Sequence, residues 1–221
     1  MPGKRIISKR DGTVGLLIFD NPARLNAVSH GMWQETGQVL KTFIDDATVQ
    51  AIVIAGAGRK AFSAGDDISG FEDGRGDAAS EAIFKLASEQ AMEFLANAPV
   101  PTIAKIRGYC IGGGLETAIT CDMRIATDSA RFAIPAARFG LGYDASGITR
   151  LVDLVGPSFA KEIFFTARQF SAQEAHDMGL VDRIVPEAML DAEVAELTET
   201  ISQNDPLTLR TVKQRVLEGR L

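Results

Sequence analysis

Two short apolar segments separated by one amphipathic stretch constrain the fold of this chain more than any other feature. The segments 13–20 (TVGLLIFD) and 50–56 (QAIVIAG) are rich in branched aliphatic residues and bounded by turn-forming residues, as buried strands are. After Ser29, which suits a helix N-cap, apolar residues recur at helical spacing. A strand, a helix and a strand in this order predict a right-handed crossover between two parallel strands.

The same alternation continues along the chain and predicts an α/β fold. Further strands are expected at 101–108, 122–128 and 180–185, with a helix at about 79–97 between the second and third strands of the series. The last third of the chain is expected to be mostly helical. Its predicted helices cover about 145–155, 157–166, 171–178, 187–203 and 206–219.

The charge balance excludes several classes of protein. The 221 residues include 23 basic and 29 acidic ones, and the net charge of −6 provides no long-range attraction to nucleic acid or to anionic lipid. No apolar run approaches the roughly 18 residues that a membrane-crossing helix needs. We therefore expect a soluble, cytoplasmic protein whose partners include neither nucleic acid nor membrane.

Cysteine and histidine are scarce, and this limits the chemistry available to the chain. Cys110 and Cys121 form no C-x-x-C motif, so neither a disulfide framework nor a thiolate metal site is predicted. His30 and His176 lie in predicted helices and are interpreted as solvent-facing, which leaves no imidazole base for a Ser-His-Asp triad. No metal site and no separate cofactor are expected.

Two glycine-containing loops place a carboxylate beside bare backbone. The segments 60–68 (KAFSAGDDI) and 108–116 (GYCIGGGLE) each follow a predicted strand. In an open parallel sheet ligands lie beyond the carboxyl ends of the strands, so we expect both loops at the same rim. Gly65 and the run 112–114 lack Cβ atoms, which lets a ligand oxygen approach backbone N–H groups. A phosphate cradle is not favoured, because the run lacks a following Lys-Ser/Thr and does not complete G-x-G-x-x-G.

Two N–H groups directed at one oxygen would form an oxyanion hole, and a thioester carbonyl suits such a hole because its enolate places negative charge on that oxygen. If Gly113 opens a helix, the helix dipole adds favourable potential there. Glu116, about one turn further on, is a candidate acid or base. Other interpretations stay open at this point: the glycines could serve tight helix–strand packing, Glu116 could be a surface charge, and Asp66 and Asp67 could be turn or capping residues.

Four motifs occur in a fixed order along nearly the whole chain. They are 23–29 (ARLNAVS), 60–68 (KAFSAGDDI), 108–126 (GYCIGGGLETAITCDMRIA) and 165–186 (FTARQFSAQEAHDMGLVDRIVP). Together they resemble the crotonase family, also called the enoyl-CoA hydratase/isomerase family.

The resemblance implies a crotonase-like spiral of repeated ββα units, a coenzyme A thioester as substrate, and a homotrimer or hexamer. It implies an oxyanion hole formed by the backbone N–H groups of Asp66 and Gly113, with Glu116 as the catalytic glutamate. The core with the CoA and acyl site is expected to cover 1–185, followed by a C-terminal helical segment, 186–221, that is shorter than usual for the family. Contacts to the substrate or to coenzyme A are implied for Arg24, Ala64, Gly65, Ile68 and Gly112.

One departure from the family pattern concerns the acyl end of the site. Hydratases of the family carry a second glutamate after a proline, whereas here Pro135 is followed by Ala136. Water addition uses one group to activate water and another to manage the α-carbon proton, so this change argues against the usual hydration route. Tyr143 and Asp144 stand where the loop should reach the acyl group, and this stretch, 135–147, looks like that of methylmalonyl-CoA decarboxylases. Alternatively, Tyr143 is a packed aromatic residue and Asp144 a helix cap.

These features predict an acyl-CoA thioester enzyme, a lyase or isomerase of the kind used in fatty acid metabolism, that acts through a stabilised enolate. Asp66, Gly113, Glu116, Tyr143 and Asp144 are its candidate catalytic residues. Two alternatives are a decarboxylase of a malonyl-type thioester and a CoA-ester-binding relative without catalytic activity.

Overall fold

The computed structural model describes residues 4–67, 78–140, 142–143 and 145–219, apart from the side chains of residues 78–83. The strands are β1 (Arg5–Asp11), β2 (Val14–Asp20), β3 (Ala51–Gly56), β4 (Ala61–Ser63), β5 (Thr102–Ile106), β6 (Tyr109–Ile111), β7 (Met123–Thr127), β8 (Arg131–Ala133), β9 (Phe170–Ser171) and β10 (Arg183–Val185). The helices are α1 (His30–Asp45), α2 (Ala78–Ala96), α3 (Gly113–Thr120), α4 (Ala136–Phe139), α5 (Ala145–Thr166), α6 (Ala172–Asp177), α7 (Leu190–Ser202) and α8 (Pro206–Glu218).

The predicted crossover near the start of the chain is confirmed. β2 and β3 pair in parallel, and α1 connects them. The side chain of Ser29 accepts a hydrogen bond from the Met32 N–H at 3.4 Å and so caps α1. Such a cap satisfies one of the N–H groups that the first helical turn leaves without a partner.

The strands form two sheets among the described residues. The larger sheet has the order β1-β2-β3-β5-β7-β10, and only its β1–β2 pair is antiparallel. The smaller sheet has the order β4-β6-β8-β9, with β4, β6 and β8 parallel. Each of β3, β5 and β7 is followed by a strand of the smaller sheet and then by a helix, so the repeated ββα units that the resemblance implies are present.

The smaller sheet changes where the two glycine-containing loops begin. We expected both loops at the rim of the sheet formed by the long apolar strands. Instead β4 and β6 lie within the segments 60–68 and 108–116, and the two loops follow these short neighbouring strands. Because β4 and β6 are parallel neighbours, their carboxyl ends still bring the loops together.

Helices cover both faces of the larger sheet. On one face, α7 packs Leu190, Val194 and Ile201 against Val53 and Ile103 of the central strands. Leu190 and Ile103 are fully buried, and burial of each such side chain contributes about 1.5–3 kcal/mol to the free energy of unfolding. The main core lies on the opposite face, between the two sheets and helices α1 to α6.

The longest described helix, α5, consists of two segments that meet at Gly156, where φ is 74° and ψ is 165°. This break agrees with the two separate helices predicted at 145–155 and 157–166. A positive φ suits glycine, and Pro157 suits the first position of the second segment. No helix among the described residues is long and apolar enough to cross a membrane.

Candidate active site

The loop after β4 is held in place by hydrogen bonds to the segment before α1. The N–H groups of Ala64 and Val28 donate to the carbonyl oxygens of Leu25 and Gly65 at 2.9 and 2.8 Å. The Asp67 N–H donates to the Val28 carbonyl at 3.0 Å. These bonds fix the backbone on both sides of residue 66 while leaving its own N–H without an acceptor among the described residues.

The loop after β6 leads directly into α3. Gly112 adopts a φ of 55° and carries no side chain that could cap the helix. Gly113 is the first helical residue, so its N–H has no intrahelical acceptor, and no other described residue accepts from it. Two backbone N–H groups, of Asp66 and Gly113, are thus free to donate to a ligand.

The two loops touch at Gly65. Its φ is 89°, and a Cβ placed on it would lie 2.8 Å from the Gly113 nitrogen and 3.0 Å from the Ile111 oxygen. The triple glycine has more than one role, because a Cβ on Gly114 would lie 2.3 Å from the Ser63 oxygen. The packing interpretation therefore holds at Gly114, while Gly113 presents its N–H at the contact between the loops.

A cavity of about 530 Å³ opens beside this contact. Its walls include Ala64 and Gly112 from the loops, the early part of α3, the C-terminal half of α2 and the residues around α4 and the start of α5. The candidate catalytic residues Asp66, Gly113, Glu116 and Tyr143 all line it, as does Trp33.

Glu116 faces the start of α5 rather than bulk solvent. A Cβ on Gly147 of α5 would lie 3.0 Å from Glu116 Oε1 and 2.8 Å from Tyr143 Cε1. The carboxylate and the aromatic ring therefore meet in the space that this glycine leaves open. The alternative interpretation of Glu116 as a surface charge does not fit its position in the cavity wall.

Tyr143 is fixed by its ring, and its hydroxyl group lies beside Glu116. The ring packs edge-on against Phe164, with 4.9 Å between centroids. The hydroxyl is buried near the Glu116 carboxylate but forms no hydrogen bond of normal geometry with the described residues. Burial raises the pKa of Tyr143 well above its ordinary value, and the negative charges of Glu116 and Asp66 raise it further. The hydroxyl stays protonated and can donate a hydrogen bond to a ligand.

Asp66 contributes a side chain to the cavity as well as its N–H group. The indole Nε1–H of Trp33 donates to Asp66 Oδ1 at 2.9 Å. Asp66 is exposed to the open cavity, and partial desolvation by the surrounding walls raises the pKa of its carboxyl while the indole bond lowers it. Trp33 is one of the apolar residues that recur at helical spacing after Ser29, and a buried indole N–H usually requires a partner.

Ala136 lines the same cavity, directly after Pro135. At this position the chain presents a methyl group, so no carboxylate faces the cavity from α4 at the place where family hydratases carry their second glutamate. The acid groups of the site come from Asp66 and Glu116 on one side, and α2 adds Glu89 and Glu93 further out.

The remaining predicted site residues are not all part of this cavity. Arg24 is exposed and ends a 3-10 turn beginning at Pro22, which borders a second cavity of about 240 Å³. Ile68 and Asp144 lie outside the described residues. Among the residues described, no group of three or more histidine, cysteine, aspartate or glutamate side chains is placed to hold a metal ion.

The fold defines a ββα-repeat protein with a cavity at the ends of neighbouring parallel strands. The family model described as enoyl-CoA hydratase/isomerase matches residues 9–219. The chain is 32% identical to the short-chain-enoyl-CoA hydratase of Clostridium acetobutylicum over 97% of this chain and 81% of that protein. It is 33% identical to the carnitinyl-CoA dehydratase of Escherichia coli strain K12, covering 93% of this chain and 77% of the relative.

Structural comparison agrees with the sequence relationship. The crystal structure of an enoyl-CoA hydratase/carnithine racemase from Magnetospirillum magneticum superimposes with a TM-score of 0.92 and 31% identity, covering 96% of this chain and 80% of that one. The chain therefore belongs to the enoyl-CoA hydratase/isomerase (crotonase) family of acyl-CoA enzymes, and the expectation from its four motifs is confirmed. Because these relatives are named for different reactions, family membership leaves the exact reaction open.

Proposed function

We propose that this protein converts an acyl-CoA thioester through an enolate whose oxygen is bound by the N–H groups of Asp66 and Gly113. The observation that carries the proposal is the pair of free N–H groups at the contact between two loops, beside a cavity that also holds Glu116. Each such donor is typically worth about 2.7–4 kcal/mol in the transition state. The Gly113 N–H also stands at the start of α3, where the helix dipole favours negative charge.

Glu116 is the proposed base of the reaction. Its carboxylate lies in the cavity wall one turn along α3 from Gly113, so a thioester carbonyl in the hole places its α-carbon on the same side of the cavity. Removal of an α-proton sends the electron pair into the carbonyl, and the two N–H groups stabilise the resulting charge. The methyl group of Ala136 supports isomerisation or another enolate reaction over hydration by two glutamates.

Decarboxylation of a malonyl-type thioester is a second candidate, and Tyr143 is the observation that favours it. A protonated hydroxyl in the cavity wall beside Glu116 can orient a carboxylate on the acyl group. Loss of carbon dioxide yields the same enolate, and it needs desolvation and an enolate-binding site more than a strong base.

The remaining family expectations enter as proposals. We infer that Arg24, Ala64, Gly65, Ile68 and Gly112 contact the thioester or its coenzyme A portion. We also infer that the protein is a cytoplasmic homotrimer or hexamer with a role in fatty acid metabolism. A measurement of its mass in solution tests the oligomeric state.

A substrate panel tests the proposal. Crotonyl-CoA, longer 2- and 3-enoyl-CoA esters and methylmalonyl-CoA are assayed with the wild type, Glu116→Gln and Tyr143→Phe, and with Glu199→Gln, an exposed change on α7, as the matched control. Glu116→Gln is expected to lose about 100-fold or more of the enolate-forming activity while the control keeps it. Carbon dioxide release without loss of crotonyl-CoA absorbance favours the decarboxylase. Thioester binding without turnover indicates a non-catalytic relative, and a fully active Glu116→Gln refutes the proposed base.

A further inference from the structure

Asp66 places a second carboxyl group at the oxyanion-binding end of the cavity, in addition to the backbone N–H already discussed. Trp33 holds this side chain in a defined direction through the 2.9 Å bond to Oδ1. The indole itself is 1% exposed and packs edge-on against Phe19, so its position is fixed by the core. The direction of the Asp66 carboxyl is therefore set by the protein and not by solvent.

The carboxyl lies at the reacting end of the site. Asp66 Oδ1 is 3.5 Å from the point where a Cβ on Gly113 would stand, and Asp66 and Glu116 both act electrostatically on the Tyr143 hydroxyl. Within the described residues it has no ion pair, whereas the neighbouring Asp67 pairs with Lys4 at 2.5 Å. A carboxyl group without a cationic partner in a partly desolvated cleft is typical of a functional site.

An enolate reaction needs a proton donor as well as a base. Hydration, isomerisation and decarboxylation all end with proton transfer to a carbon of the enolate, and the α4 residues that line the cavity, Ala136 and Phe139, carry no acid group. On the basis of the proposed function, we propose that the side-chain carboxyl of Asp66 is this donor and that Glu116 is the base.

The step is balanced in protons and electrons. In isomerisation Glu116 takes a proton from carbon, and in hydration it takes one from water. In decarboxylation carbon dioxide leaves and the electrons of the broken C–C bond remain on the substrate. The Oδ–H bond of Asp66 then breaks, its proton forms the new C–H bond with the enolate electron pair, and Asp66 becomes a carboxylate. Water restores the proton of Asp66 and accepts that of Glu116 after product release.

The protonation state of Asp66 suits this role. Its raised pKa enlarges the protonated fraction, and activity that depends on this acid is present below the pKa and lost as pH rises through it. Asp66 shares the cavity with charged and titratable groups from every wall, and the Asp67–Lys4 pair adjoins it. These groups are Glu116 of α3, Tyr143, Arg150 of α5, and Lys85, Glu89 and Glu93 of α2.

Exchange of α-hydrogen for deuterium tests the donor separately from the overall reaction. Butyryl-CoA, a saturated thioester, is incubated in deuterated water with the wild type, Asp66→Asn and the control Asp45→Asn, an exposed change on α1. Asp66→Asn keeps the backbone N–H and an oxygen that can accept from Trp33. Without the donor, Glu116 returns the proton it removed, so deuterium incorporation is expected to fall about 100-fold or more while calorimetry shows butyryl-CoA binding within threefold of the wild type.

Two further variants separate proton donation from a structural role. Added formate is expected to restore exchange in Asp66→Ala, because a small acid can occupy the vacated space. Trp33→Phe removes the bond that lowers the Asp66 pKa, so the falling limb of the pH–rate profile should move to higher pH. An unmoved limb together with absent rescue by formate would show that Asp66 acts only structurally.

The outcomes distinguish failure of this inference from failure of the proposed function. If the wild type incorporates no deuterium and converts no thioester of the panel, the enolate function itself is wrong. If the wild type exchanges and Asp66→Asn exchanges equally well, only the donor assignment is wrong. Faster exchange by Asp66→Asn would likewise overturn it, because it would mean that an ionised Asp66 opposes the enolate charge.

Discussion

Gly65→Ala is the substitution that tests most directly whether the contact between the two loops builds the active site. The added methyl group would lie 2.8 Å from the Gly113 nitrogen and 3.0 Å from the Ile111 oxygen, well inside the optimal contact distance of about 3.5–4.0 Å. A positive φ of 89° adds conformational strain. The strain costs roughly 1–2 kcal/mol and the overlap with fixed backbone roughly 1–3 kcal/mol, so unfolding should become about 2–5 kcal/mol easier.

The same substitution should impair catalysis in the molecules that remain folded. Relief of the overlap moves the Gly113 N–H away from Asp66, and loss of one oxyanion donor lowers kcat by about 100- to 1,000-fold. Urea denaturation measures the stability, and deuterium exchange into butyryl-CoA measures enolate formation.

Gly31→Ala is the matched control, because a Cβ there meets no atom within 4 Å and the site is in α1. It should leave activity unchanged and stabilise the helix by about 0.5–1 kcal/mol. Equal unfolding midpoints for Gly65→Ala and the wild type would refute the packing argument. Reduced stability with unchanged exchange would refute the link between the loop contact and catalysis.

Three further changes follow from the same structure. Gly147→Ala should displace the Glu116 carboxylate and the Tyr143 ring, because the added Cβ would approach them to 3.0 and 2.8 Å. Deuterium exchange into butyryl-CoA should fall about tenfold or more. An exchange rate equal to that of the wild type would contradict this geometry. Ala136→Glu places a carboxylate on the cavity wall and should raise hydration of crotonyl-CoA, followed by absorbance; no gain would show that a second acid is not what limits this reaction. Hydrogen bonds lower the pKa of Glu174 from 4.5 to about 2, and the largest contribution comes from the bond that its carboxylate accepts from the Ser171 N–H. The stabilising effect of Glu174 is therefore present above pH 4.5 and is lost as pH falls towards 2. Because the group is exposed the effect is small, and Glu174→Gln should remove it from acid-unfolding curves.

The larger sheet and its helices could be predicted because each element carries its own pattern. β2 and β3 are long enough to carry a strand pattern, because β3 is buried along nearly its whole length and β2 alternates between half-buried and buried residues. The two segments of α5 are separated by a Gly-Pro pair that stops a helix. The smaller sheet could not be predicted in the same way. β4, β6 and β8 have three residues each, too few to show a two-residue period, and their pairing depends on contacts between distant parts of the chain.

Some features of the candidate site could likewise be predicted from the sequence, and others could not. The glycines and acids of the two loops are visible in the sequence, because bare backbone next to a carboxylate is a local pattern. The bond from Trp33 to Asp66 joins residues 33 positions apart, and the space that Gly147 leaves for Glu116 depends on how α5 packs against α3. Neither contact has a sequence period, so both require the folded arrangement.

The chemistry of this chain depends on which groups surround the enolate more than on the enolate site itself. An oxyanion hole formed by the N–H groups of Asp66 and Gly113, as proposed, would stabilise charge on oxygen equally for hydration, isomerisation or decarboxylation, because all three pass through the same anion. The outcome is decided by the groups that remove and deliver protons at carbon. Ala136 provides neither function, whereas the carboxyl of Asp66, held by Trp33, lies in the cavity beside the proposed oxyanion hole. The proposed donor role therefore requires a protonated Asp66 when the enolate forms, since the ionised form would oppose the same charge that the two N–H groups are proposed to stabilise.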